Sequence, residues 1–154
     1  MRHIVSTLIQ LATTEKPQAL VSLHLVTLAS HTRAGIEKAL EMVETRKAEY
    51  KLAGITHYRP WIFMITDGEP TDDTTVATRS VREAEDNHRV AFFSVGVEGA
   101  SMAQLAAISV RDPIKLQGLN FAELFAWLSK SLAAVATSRM GDQVALPALG
   151  WSAV

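Results

Sequence analysis

Apolar positions along the chain follow two rhythms. Four stretches are short, apolar and rich in β-branched or aromatic residues: ALVSLHLVTLA at 19–29, WIFMIT at 61–66, RVAFFSVGV at 89–97 and a brief one at 114–116. That is the composition of strands buried on both faces of a sheet. Elsewhere the spacing is helical. Ile4, Leu8 and Leu11 repeat in the first dozen residues. Ile36, Ala39, Leu40 and Val43 form one stripe between Arg33 and about Tyr50, with Glu37, Lys38, Glu41, Glu44 and Lys47 on the remaining faces. Ala77, Val81 and Ala84 mark another helix, Met102 to Ile108 a short one, and Phe121, Leu124, Phe125, Leu128, Leu132 and Val135 the last.

Capping residues punctuate this pattern. Ser101 with Gln104 has the spacing of a capping box, and Asn120 with Glu123 is placed to start the last helix. Thr13 to Pro17 breaks the first helix, and Gly54 and Pro60 bracket a loop before WIFMIT. Strands alternating with helices of these lengths predict βαβ units. The expected fold is α/β and Rossmann-like, a mostly parallel sheet with helices on both faces in three layers. On this reading residues 1–137 form one domain. Residues 138–154 lose periodicity and read as a tail that folds back or meets a partner.

Composition narrows the function classes. A chain of 154 residues with 48% hydrophobic residues can bury a sizeable core as one domain. Fifteen Lys and Arg stand against 16 Asp and Glu, a formal charge of −1 that gives no general field for nucleic acid or anionic lipid. The absence of cysteine removes disulfides, thiolate metal sites and thiol nucleophiles. No run approaches the roughly 20 apolar residues that span a bilayer, and MRHIVSTLIQLA reads as an amphipathic helix, not a leader. A cytoplasmic protein is expected.

The candidate chemistry sits where WIFMIT ends. In open α/β sheets ligands gather outside the carboxyl ends of the strands, and Asp67 stands at that point, followed by Gly68-Glu69-Pro70-Thr71-Asp72-Asp73. Ser30, His31 and Thr32 follow the first apolar stretch, and Glu98 follows the third. Hydroxyl and carboxylate oxygens on separate loops suit Mg²⁺ or Mn²⁺, and Thr32 with Asp67 makes a partial shell. Gly68 is expected to let the backbone turn close to the ion, with Pro70 stiffening the exit.

Asp72 and Asp73 read as caps of the following helix. His31 reads as a polar loop residue, since no second His or Cys stands at metal-binding spacing. Trp61, Trp127 and Trp151 read as packing groups. Phosphate-loop glycine motifs and GxSxG are absent. A metal-dependent hydrolase using Asp67 with Asp72 or Asp73 remains as an enzymatic alternative, with no base or nucleophile positioned to serve it.

YRPWIFMITDGEPTDD resembles the third metal-site motif of von Willebrand factor type A domains, and is most similar to the bacterial branch associated with tellurium resistance. The likeness extends through SHTRAGIEKALEMVETRKAEYKLAGITHYRPW, AFFSVGVEGASMAQL, SVRDPIKLQGLNFAELFAWLSKSL and LPALGWSAV, from about residue 32 to the end. The resemblance implies a protein-binding module without turnover. Its ion, held by a DxSxS loop, a Thr and the Asp of TDG, would keep a position open for a partner's Asp or Glu carboxylate. Carried over by position, Thr32 matches the second element and Asp67 the third. No DxSxS occurs in the chain, and Ser30-His31 stands where the family has GG before its Thr. Against the family pattern the chain reads as N-terminally truncated, with Mg²⁺ or Mn²⁺ binding weak or absent. Residues 19–29 are then expected to replace a missing strand by lying parallel beside WIFMIT. A metal-free fragment of the fold is the accompanying alternative.

Overall fold

The structure is a computed structural model and describes residues 32–116, 120–139 and 142–148, with the backbone of two short strands at 5–6 and 26–27. The elements run β1 (Val5–Ser6), β2 (Val26–Thr27), α1 (Thr32–Leu52), β3 (Trp61–Thr66), α2 (Thr75–Asp86), β4 (Ala91–Gly96), α3 (Met102–Ile108), β5 (Ile114–Lys115) and α4 (Phe121–Thr137). β3, β4 and β5 form a parallel sheet in that order, while β1 and β2 pair antiparallel with each other.

Because side chains alternate across a strand, β3 feeds two cores. Trp61, Phe63 and Ile65 point to one face, where Leu124, Trp127, Leu128 and Leu132 of α4 cover them. Ile62 and Met64 point to the other, against Ile36, Ala39 and Val43 of α1, Ala77, Val81 and Ala84 of α2, and Leu105 and Ile108 of α3. This gives the expected three-layer, Rossmann-like α/β arrangement. All six residues of β3 and all six of β4 are buried, which explains their continuous apolar runs.

Register fixes the densest packing. Phe63 is opposite Phe93 in the parallel ladder, and their rings stack at 4.7 Å and 8°. Trp127 meets both edge-on, at 6.4 Å and 6.2 Å. Trp61 and Trp127 are thus packing groups, and the Trp127 indole N–H also donates to the Pro147 carbonyl at 2.8 Å. With Leu146 against the same cluster, the described part of the C-terminal segment lies back on α4. Trp151 lies outside the described residues.

Four expectations change. Residues 19–29 were to form a strand parallel to β3 and the first dozen residues a helix. Instead Val5–Ser6 is a strand pairing antiparallel with Val26–Thr27, and β1, not β2, lies beside β3. A uniformly apolar run records burial on both faces but neither the direction nor the identity of its neighbour. The remainder of both segments lies outside the described residues. Phe125, assigned to the buried stripe of α4, is 37% exposed. It follows Leu124 by one position and is rotated about 100° from it. Asn120 precedes α4, but its side chain makes no capping bond.

At the amino ends of β3 and β4 a buried carboxylate organises the loops. Glu85, 5% exposed, accepts the Phe92 amide at 2.6 Å. Arg59 reaches the same carboxylate at 2.5 Å, and Arg111 reaches both its oxygens at 3.0 and 3.3 Å. Burial lowers the pKa of Arg59, an effect opposed by Glu85 and reinforced by the like charge of Arg111.

Candidate functional site

β3 ends at Thr66, whose carbonyl accepts the Val97 amide at 2.9 Å, so the carboxyl ends of β3 and β4 are tied together. The Thr66 hydroxyl accepts the Gly68 amide at 3.2 Å, turning the chain immediately after the strand. Asp67 is therefore half-buried at the strand's carboxyl end, as the pattern of the sequence required. Gly99, with φ of 93°, brings the loop after β4 against it, since a Cβ there would lie 3.2 Å from the Asp67 carbonyl oxygen. At Gly68 nothing in the protein itself calls for glycine. Its φ lies outside the left-handed region, and a Cβ there meets nothing within 4 Å, so neither conformation nor crowding demands glycine.

Thr32 is the buried first residue of α1. The following amide, of Arg33, donates to Asp72 Oδ2 at 2.8 Å. Asp72 thus caps α1, 39 residues away in sequence, and not α2 as expected. This bond draws the loop after β3 onto the helix that carries Thr32, placing the two predicted elements on one side of the molecule. The other oxygen, Asp72 Oδ1, is buried and has no hydrogen-bond partner among the described residues. Nothing local in the sequence announces this pairing, because both partners look like ordinary loop and helix-start residues.

Asp73 serves α2 as expected, accepting the Thr75 amide at 2.9 Å and the Thr75 hydroxyl at 2.6 Å. The hydroxyl bond, then the amide bond, holds its carboxyl below the ordinary 3.8, with burial opposing. Asp72 and Asp73 each accept a backbone amide at a helix start. His31 and Ser30 lie outside the described residues, and Glu98 is exposed.

The donors on this face are a hydroxyl and carboxylates, hard oxygen groups of the kind Mg²⁺ and Mn²⁺ take. Their chemistry fits such an ion, but their number falls short of a closed site. Among the described residues no three His, Asp or Glu side chains are grouped to hold a metal. Nor is any helix among them long and apolar enough to cross a membrane.

An open parallel α/β sheet with helices on both faces defines a domain of Rossmann-like type. A family model for the von Willebrand factor type A domain matches residues 4–123, and the chain belongs to that family. Domains of this family are in general protein-interaction modules, not enzymes. Searches of the curated proteins and of the solved structures gave no match.

Proposed function

We propose that the chain binds a protein partner at the carboxyl ends of β3 and β4, through an incomplete metal-ion-dependent adhesion site. Thr32 and Asp67 are its protein donors for Mg²⁺ or Mn²⁺, and a partner's Asp or Glu carboxylate is its target. A bound divalent ion supplies a Lewis-acidic position that a carboxylate can occupy. The chain's own part is to hold Thr32 at the start of α1 and Asp67 at the end of β3. With two protein donors, most coordination falls to water, so affinity for the ion is weak. No nucleic acid, membrane or turnover enters this reading. Its setting is the bacterial cytoplasm, in the tellurium-resistance or stress-associated branch.

The bond from the Arg33 amide to Asp72 carries the proposal, because it tethers the loop after Asp67 to the helix start bearing Thr32. The test is titration of a short acidic peptide into the protein with Mn²⁺ or with chelator, for wild type and Asp67→Ala. Binding that requires both the ion and Asp67 is expected. Peptide binding indifferent to the ion favours the second reading, a metal-free interaction surface, to which the small donor count points.

A further inference from the structure

A cavity of about 630 Å³ opens at the amino ends of β3 and β4, the end of the sheet away from Asp67. Its size lies within the range of small-molecule sites. Trp61 opens β3 and Asp67 follows its last residue, so about 20 Å of extended strand separates this cavity from the Thr32 and Asp67 region. A ligand here would be independent of the partner site proposed above.

The cavity wall has two chemistries. On one side are apolar groups: Trp61 and Phe93 from the strands, Val135 from α4 and Leu146 from the segment folded back on it. On the other are the guanidinium groups of Arg59 and Arg111. Both already contact Glu85, which lies behind the wall. Two guanidiniums against one carboxylate leave one positive charge over. Arg139 and Asp142, also on the wall, have opposite charges and leave that balance unchanged.

Donor capacity is left over as well. Arg59 spends Nε on the Val90 carbonyl and Nη2 on Glu85, and Arg111 spends Nε and Nη2 on Glu85. The Nη1 group of each makes no hydrogen bond to the described residues. The two side chains remain 30% and 38% exposed, and Arg111 lies 5.2 Å from the centroid of the Phe93 ring, with its orientation held by Glu85. Paired planar forks with unused N–H groups are suited to a phosphate or carboxylate, and an anion desolvated there would meet charge that Glu85 does not cancel.

We propose that this cavity is a binding site for a small anion joining a flat apolar body to a phosphate or carboxylate. The charged group sits on Arg59 and Arg111, and the apolar body lies between the β3–β4 aromatics and Val135 with Leu146. Glu85 holds both guanidiniums in place and leaves their outer edges to the ligand.

The probes are AMP and 2-naphthoate, each compared with its uncharged parent, adenosine and 2-naphthalenemethanol, by calorimetry and by amide shifts on the full chain. At least one anion is expected to bind with Kd on the order of 0.1 mM, at least about tenfold tighter than its parent. Shifts are expected at 59–61, 93 and 111. Arg111→Lys, which keeps a charge beside Glu85 but loses the fork, is expected to weaken binding about tenfold or more. Val135→Trp, which fills the cavity from α4 without touching Glu85, is expected to abolish it, while Asp67→Ala leaves it unchanged. Thermal melts confirm that each variant is folded. Failure of both anions to bind wild type, equal binding of anion and parent, or binding that survives Val135→Trp in the folded variant would overturn the proposal.

Discussion

The two ends of β3 carry charge in opposite ways. At the carboxyl end, Asp72 and Asp73 accept backbone amides at helix starts, and Asp67 sits half-buried after the last residue of β3. At the amino end, Glu85 is buried and answered by two guanidiniums and the Phe92 amide. The first arrangement rests on single carboxylate–amide bonds, one of them across 39 residues, so removing Asp72 or Asp73 releases a single helix start. The second places a full charge out of water, and only its complete set of partners makes that tolerable. The difference separates carboxylates that each serve one helix start from a carboxylate that ties several segments together.

The comparison breaks most visibly at Glu85. Glu85→Ala leaves two guanidiniums without their carboxylate and a buried amide without its acceptor, and is expected to cost about 3–5 kcal/mol, read from the urea midpoint. Phe63→Ala removes the centre of the aromatic stack and is expected to cost a similar ~3–5 kcal/mol by opening a cavity. Asp72→Ala, which strips the Arg33 amide of its partner, is expected to cost about 0.5–2 kcal/mol and to fray the start of α1 in amide exchange. Asp67→Ala is expected to leave the melting temperature within a degree or so of wild type, about 0.5 kcal/mol or less. If Asp67→Ala proves more damaging than Phe63→Ala, Asp67 is a structural turn residue and the contrast between the two ends fails.

The smallest effect is a pH dependence near the amino end. Burial, then the like charge of Lys47, lowers the pKa of His57 from 6.5, with Glu44 and a backbone bond involving Ile55 opposing. A base with a lower pKa in the folded state takes up its proton more readily when unfolded. Its contribution is therefore fully present above the ordinary 6.5 and is lost as pH falls through 6.5 toward the folded value. Melting curves between neutral and mildly acidic pH should decline less for His57→Gln than for wild type.

What the sequence made legible follows from locality. WIFMIT coincides with β3 residue for residue, because a strand buried on both faces must be apolar throughout. α1, α2, α3 and α4 were readable from their apolar spacing, and Ser101 does accept the Gln104 amide, at 3.5 Å. Asp67 was readable from its place at a strand end.

Apart from Phe125 and the Asn120 cap, the illegible parts are non-local. Val5–Ser6 and Val26–Thr27 pair through a direction that apolar composition does not encode. Asp72 finds the Arg33 amide across 39 residues. Glu85 looks like one more solvated acid in a charged helix, and only the loops bearing Arg59 and Arg111 bury it. Those arginines carry no motif, so the cavity they line left no mark in the sequence.

The most direct test of the proposed partial adhesion site is a Mn²⁺ titration followed by paramagnetic broadening of amide resonances, in wild type and Asp67→Ala. The account predicts weak binding, with broadening centred on Thr32 and residues 66–72 and lost in Asp67→Ala. Broadening centred elsewhere, persistence in Asp67→Ala, or a Kd on the order of 1 µM or tighter, about −8 kcal/mol, would contradict it.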